Sequence, residues 1–332
     1  VGGDGEGRQR VVDMGVELAL GRGLLDSRIR FASPARRERA VMSSGTSDFP
    51  LLLQDATNKA LKPSYDAAQS AIKMAARERT AMNKHPLQSL RFGEFPELER
   101  VVDSGEVKHG TAPEYGESFT VDTFARIFAL SRDAIINDDL DAFGDFVRMA
   151  GVAAASKEAD ILAGLLASNP TMSDGVALFD ITHGNLADPG SNISVTSLSA
   201  ARKSLRDRKG IDGKTPINAP PRYLIVGSAQ ETNAEQSLAE VWAATVSDVN
   251  PFGRGLDLLV DPRVQGFEWY VVADKFQLPV IEYAYLADAR GPQVTTRPGF
   301  EVMGMEMRVS LDFGAGIVDW RGIYKDPGSG GT

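Results

Sequence analysis

Apolar residues recur at three- and four-residue intervals from Leu140 to Ser168, the longest helical pattern in the chain. Phe143, Phe146, Val147, Ala150, Ala154, Ile161, Leu162 and Leu165 fall mostly on one stripe, the spacing that buries one face of a helix. At about 1.5 Å per residue this helix extends roughly 43 Å, enough for a spine. Ala153 to Ala155 make a slim section, and Asn169-Pro170 ends the run because the residue before proline is pushed out of helical conformation. Upstream, Asp48-Phe49-Pro50 opens a helix with Asp48 as cap and proline in the first turn. Leu51 to Leu61 is amphipathic, Pro63 interrupts it, and Tyr65 to Asn83 predicts a further helix.

Between these helices the pattern changes. Val101 to Gly110 and Phe119 to Leu130 read as two branches of a ribbon joined by a turn at Thr111 to Gly116. The return branch is rich in β-branched and aromatic residues, and at about 3.3 Å per residue it extends roughly 40 Å. A two-stranded ribbon is marginal alone in water, and its open edges need a surface. The pattern therefore predicts an arm that lies on another copy of the chain.

Downstream comes a loop-rich hairpin region from Asp174 to Val195, then a helix from Thr196 or Ser197 to Gly210. Pro216 to Pro221 marks a boundary. Tyr223 to Val226 is a short buried strand, Ser228 to Glu231 fits a capping box, and the helix after it reaches Trp242. Asp248 to Gly255 is a polar loop. Short strands follow at Leu256 to Val260, Glu268 to Val272, Val280 to Tyr285, Val294 to Arg297, Phe300 to Val309 and Gly316 to Trp320. The class is α+β.

A length of 332 residues predicts about two domains. No apolar run approaches the roughly 20 residues that span a bilayer, and no secretory signal opens the sequence. The start at Val1 is expected of a processed or trimmed chain. With no cysteine, disulfides, thiolate metal sites and a cysteine nucleophile are excluded. The net charge of −9 argues against a dedicated nucleic-acid binder. Residues 1 to 45 nevertheless carry eight arginines against six acids, so a basic arm sits on an acidic body. Such an arm suits acidic neighbours or loose phosphate contact, or is a solvated tail.

The motif fragments do not assemble into an enzyme. Gly210-Ile211-Asp212-Gly213-Lys214-Thr215 ends like a phosphate-binding loop, but Arg208 stands where its first glycine belongs and Pro216 blocks the helix; it reads as a turn. Gly21-Arg22-Gly23 lacks the third glycine of a dinucleotide fingerprint and is a helix stop. Asp312-Phe313-Gly314 has no kinase loops before it and reads as strand-to-turn geometry. His85, His109 and His183 lack metal-site spacing. His183 with Asp180 or Asp188 and a serine would make a hydrolase, yet no nucleophile elbow is present and Ser228 serves as a cap. The plainer reading makes His183 a turn residue donating to a backbone carbonyl. Asn137-Asp138-Asp139 reads as a helix cap before it reads as a cation site. Lys108, beside a neighbour's asparagine and carboxylate, has the groups for an isopeptide bond, although an ion-paired lysine is simpler. No catalytic, cofactor-binding or metal-ligating residue is assigned.

Several strings carry a family resemblance. Ser47-Asp48-Phe49-Pro50-Leu51-Leu52-Leu53, Ser131-Arg132-Asp133-Ala134-Ile135-Ile136-Asn137-Asp138-Asp139, Leu178-Phe179 with His183-Gly184-Asn185-Leu186, Asp248-Val249-Asn250-Pro251-Phe252, and Asp312-Phe313-Gly314 with Asp319-Trp320-Arg321-Gly322 resemble the Mu-type major head subunits. Those proteins are Hong Kong 97-type major capsid proteins of tailed phages, and the likeness is greatest to capsid proteins encoded behind a prohead protease. It covers about residues 46 to 325.

The resemblance implies a Hong Kong 97-type fold: an N-terminal arm at 1–94, an extended hairpin loop at 95–135, a peripheral domain at 136–215 and 290–325, an axial domain at 216–289 and a tail at 326–332. It implies a non-enzymatic shell subunit of the virion, assembled in the host cytoplasm. Its partners would be copies of itself in hexamers and pentamers, packaged double-stranded DNA, the portal, a maturation protease and decoration proteins, with no cofactor, metal or membrane. Expected subunit contacts are Val107, Lys108, His109, Tyr115, Phe119 and Phe124 on the ribbon, and Asp248, Asn250, Phe252 and Arg254 on the axial loop. Arg28, Arg30, Arg36, Arg37 and Arg39 are expected to face DNA. The alternatives are an encapsulin-like compartment shell, which shares the fold, and a soluble hydrolase built around His183.

Overall fold

The computed structural model describes residues 48–92, 114–131, 140–210, 213–239, 255–298 and 304–329. The expectations for the arm before residue 48, for the ribbon tip, for Asn137-Asp138-Asp139 and for the Asp248–Arg254 loop lie outside the described residues. Chain contacts define two compact units. The first holds the described parts of Val1–Gln69, Thr123–Lys157 and Asp288–Asp312; the second holds those of Ser70–Asp122, Glu158–Ala287 and Phe313–Thr332.

In the first unit, helix α1 (Asp48–Ala67) runs through Pro63, where the sequence pattern places a break. Pro63 is exposed while Leu61 and Tyr65 beside it are buried, so packing on both sides holds the helix across the missing N–H. The long helix expected from the apolar stripe is present as α3 (Leu140–Ser168). Where its first half meets α1, Gly151 has no side chain because one would strike the Leu61 carbonyl and Ser64. Asn58 of α1 accepts from the Val294 N–H (2.9 Å) and donates to its carbonyl (3.3 Å). Val294 lies on β9 (Gln293–Pro298), which pairs antiparallel with Met305 to Ser310 of β10 (Gly304–Ile317). Strand β4 (Asp122–Ser131) also pairs with β10, and its Phe128 meets Phe146 of α3 edge to face at 4.5 Å.

In the second unit, the helix expected from Tyr65 to Asn83 is replaced by one turn, α2 (Ile72–Ala75), and strand β1 (Arg77–Ala81). The reason is electrostatic. Strand β8 (Ile281–Leu286) carries Glu282, fully buried, and a buried carboxylate needs compensating charge. The parallel pairing of β1 with β8 brings both Arg77 and Arg79 to it. One layer away, Lys73 donates to Glu158 (2.7 Å) and to the Tyr285 hydroxyl (2.6 Å), and that hydroxyl donates to the other Glu158 oxygen (2.9 Å). A second sheet has the order β11–β7–β5–β6, from β5 (Pro221–Val226), β6 (Asp257–Val260), β7 (Trp269–Ala273) and β11 (Ile323–Asp326). All five residues of β7 are buried, as expected of a strand covered on both faces.

Helices α4 (Val195–Arg206) and α5 (Glu231–Leu238) bury Leu198, Ala201, Leu205 and Ala234 against Leu224, Val226, Trp269 and Val271 of that sheet. The capping box forms at Ser194 and Ser197. It does not form at Ser228, which starts a short 3-10 turn with no side-chain cap. The Gly210–Thr215 turn closes as expected, the Gly210 N–H donating to the Thr215 carbonyl at 2.7 Å.

The ribbon differs most from its expected form. Its paired strands are β2 (Leu87–Phe92) and β3 (Glu114–Phe119), antiparallel with Leu87 opposite Phe119. The chain then turns at Thr120-Val121, and β4 joins β10 of the chain's own sheet. In place of a break between the strands expected at 300–309 and 316–320, one strand of 14 residues, β10, runs from Gly304 to Ile317. Asp312-Phe313-Gly314 therefore lies mid-strand, not at a turn. Asp312 accepts from the Thr123 hydroxyl. Phe313 is fully buried against Tyr283 and Tyr285. Gly314 and Gly316 leave room for the Thr120-Val121 backbone and for Phe119.

Gly314→Val is expected to cost about 1–3 kcal/mol through overpacking, since rigid backbone stands where the side chain would go. Urea unfolding of the soluble subunit, followed by tryptophan fluorescence, measures it; an unchanged midpoint would show that the crossing is not tight.

Candidate functional site

Around His183, where the sequence allowed an active site, the described residues form a pinned loop. Asn169, in left-handed conformation (φ 46°), ends α3. Its side chain accepts from the Phe179 N–H (2.6 Å) and donates to the Phe179 carbonyl (3.1 Å). Asn185, fully buried, donates to the Leu178 carbonyl (2.6 Å) and accepts from the Asp180 N–H (3.1 Å). His183 Nδ1 donates to the same Leu178 carbonyl (3.2 Å), as expected for a turn histidine, while Nε2 lies 2.8 Å from an Asp174 oxygen.

The imidazole stacks on Trp320 with ring centres 4.0 Å apart and planes 7° from parallel. Arg208, on the segment after α4, donates to the carbonyls of His183 and Gly184 and to the Ser204 hydroxyl. Its guanidinium sits 5.5 Å from the Trp320 ring centre, and burial lowers its pKa to about 10. It remains charged, and backbone carbonyl dipoles stabilise it. The strings at 178–186 and 319–322 thus meet in space.

Beside Trp320 is a pocket of about 200 Å³ whose lining includes Glu117, Met172, Asp174, Lys209, Trp320 and Arg321. Arg321 makes a bidentate pair with Asp319, both contacts 3.1 Å, with both residues buried. Glu117 of β3 accepts from the Ser173 N–H at 2.7 Å. For Asp174, burial pushes the pKa up, but the Val176 N–H and then His183 outweigh it, and the carboxyl titrates below the ordinary value. Asp180 is also lowered, by the Thr182 hydroxyl and N–H.

This arrangement does not support hydrolysis. The acid on His183 is Asp174, not Asp180 or Asp188, and the ring is 6% exposed with both nitrogens in hydrogen-bond contact. Among the described residues no group of three or more His, Asp or Glu side chains is placed to hold a metal ion. No helix among them is long and apolar enough to cross a membrane.

Of the expected contact residues, Tyr115 lies on β3 opposite Arg91. Phe119 is 7% exposed, packed with Ala81, Val121, Ala284 and Val318, so its ring serves this chain's own core and has no face left for a neighbour. Phe124 is half-buried, its ring 4.8 Å from the Lys157 ammonium. Val107, Lys108, His109, Asp248, Asn250, Phe252, Arg254 and the arginines at 28, 30, 36, 37 and 39 lie outside the described residues. The sequence marks Asp174 only as the start of a loop and Arg208 only as the residue that breaks a phosphate-loop spacing. Asp174 followed by Gly175 signals a turn, but nothing local joins Arg208 to Trp320.

The fold is that of the Hong Kong 97-type major capsid proteins of tailed phages. The model of the phage capsid protein family matches residues 114–326, more than half of the chain. Solved structures with this fold include the capsid of cyanophage P-SCSP1u (9% identity, 78% of this chain and 88% of that one, TM-score 0.53). Mycobacterium phage Adephagia (11%, 80% and 91%, 0.53) and Microbacterium phage Oxtober96 (12%, 79% and 91%, 0.53) are similar to the same degree. No curated protein sequence matches the chain. The chain belongs to the phage capsid protein family, and it is a structural shell protein, not an enzyme.

The lowered carboxyls of Asp174 and Asp180 set a pH dependence. Each contributes stability that is fully present above its unfolded value of 3.8 and is lost as pH falls through the lower folded value. Thermal melts of the soluble subunit are expected to fall below about pH 4, less steeply in Asp174→Asn. Parallel pH profiles for the two proteins would contradict the role given to Asp174.

Proposed function

We propose that the chain is the major head subunit of a tailed phage, building an icosahedral shell of hexamers and pentamers around packaged double-stranded DNA. The family match over residues 114–326 carries this reading. A closed shell multiplies contacts that are individually weak, because each new subunit meets several neighbours at high effective concentration. In this reading residues 95–135 form the extended loop, 136–215 with 290–325 the peripheral domain and 216–289 the axial domain. The loop reaches a neighbouring copy through Val107, Lys108, His109 and Tyr115. Asp248, Asn250, Phe252 and Arg254 gather around the capsomer axis.

Arginines 28, 30, 36, 37 and 39 face DNA through phosphate contacts that carry no sequence information and weaken with salt. The portal, a maturation protease and decoration proteins are the remaining partners, and assembly takes place in the host cytoplasm.

Electron microscopy and sedimentation of the purified full chain test the reading. Closed particles are expected as concentration rises. A dispersed monomer at high concentration would overturn it, and native particles filled with protein in place of nuclease-protected DNA would make it a compartment shell.

A further inference from the structure

The turn between β7 and β8 holds an aromatic ring out in solvent. Phe276 is 80% exposed, although burying a phenylalanine side chain is strongly favourable. The turn beneath it is well tied. The Asp274 carboxylate accepts from the Phe276 N–H (2.9 Å), and its carbonyl accepts from the N–H groups of Gln277 (3.1 Å) and Leu278 (2.9 Å). Leu278 packs with Ala219 and Ala273 in a small buried cluster. The Lys275 ammonium lies 5.6 Å from the centre of the Phe276 ring. Cation and ring are therefore presented together on a braced turn, where little ordering entropy remains to be lost on docking.

The same unit carries a hole with matching chemistry. The pocket beside Trp320 has a volume of about 200 Å³, and cavities of about 150 Å³ hold a benzene ring. Met172, Val318 and Trp320 supply its apolar lining; thioether and indole are favourable neighbours for a phenyl ring. Of its three carboxylates, Asp319 is paired with Arg321 and Asp174 faces His183. Glu117 bonds the Ser173 N–H, and among the described residues no cation is paired with it. Lys209 also lines the pocket but makes no ion pair with Glu117 among the described residues, so the Glu117 carboxylate is the acceptor there for a lysine to meet.

We propose that the Lys275-Phe276 turn docks into this pocket on a second copy of the chain, the ring against Trp320 and Met172 and the ammonium on Glu117. The inference rests on the self-assembly reading above. Knob and hole on one subunit make a heterologous contact, which repeats from copy to copy and closes where the rotation closes.

Purified full-length chains, assayed by sedimentation and electron microscopy, decide it. Phe276→Ser and Lys275→Glu are expected to keep the wild-type melt, Glu117→Lys to stay folded but melt slightly lower because the Ser173 N–H loses its acceptor, and each to need about tenfold or more chain to assemble. Mixing the Lys275→Glu and Glu117→Lys proteins restores opposite charges wherever the two alternate, so the mixture should assemble at a lower concentration than either variant alone. Wild-type chain that forms no particles would remove the capsid reading itself. Wild-type particles matched by Phe276→Ser would remove only this contact. Folded single-charge variants that fail to rescue one another on mixing would overturn the Lys275–Glu117 pairing.

Discussion

The chain crosses its own strand β10 where two glycines stand, and the rest of the sheet depends on that crossing. Thr120 and Val121 pass over Gly314 so closely that even a methyl group would strike their backbone, and Phe119 fills the space beside Gly316. Because the crossing is that tight, the chain leaving the β2–β3 ribbon can go directly into β4 beside β10. A Cβ at residue 314 would push the segment outward and separate the ribbon's root from the sheet. The energetic return comes from what the crossing covers: Phe119, Val121, Ala81, Ala284 and Val318 form one buried cluster, and close-packed apolar contact is lost steeply as surfaces separate.

A second set of ties is polar. Glu158, Glu282, Asp319 and Asp326 are all nearly inaccessible, and each is answered by fixed donors: Lys73 and Tyr285, Arg77 and Arg79, Arg321, and Ser191 with Gly328. Buried pairs of this kind add little net stability over an apolar core, but breaking one leaves a costly uncompensated charge. They penalise alternative registers, and that specificity suits a subunit whose copies must match one another. His183, Arg208 and Trp320 act in the same way on the loop after α3, holding it by stacking and by carbonyl acceptors. The result is a rigid surface and not a reaction centre.

Much of this was legible in the residues. The stripe of α3 and its stop at Asn169-Pro170 were read to the residue, since a helix of that length writes its period many times over. Strands β5 to β9 were placed within about two residues by their β-branched and aromatic runs. The segment from Tyr65 to Asn83 was misread because alanine and alternating charge suit either period, and only Glu282 on a distant strand decides for β1. Pro63 was taken as a stop because its packed neighbours are invisible locally. Asp312-Phe313-Gly314 looked like a turn because its glycine is there for a passing backbone. Asp174, Arg208 and Trp320 meet only through the folded chain.

By itself, then, the sequence determined the periodic elements, the α+β class, the lack of thiol chemistry and the family. Tertiary structure decided the pairing of β4 with β10, the fate of Phe119 as a core residue and the assembly of the pinned loop. The division has a physical cause. Helix and strand periods are set by contacts between near neighbours, whereas a glycine left bare for another segment, or a buried carboxylate awaiting its cation, has meaning only once remote parts of the chain come within a few ångströms.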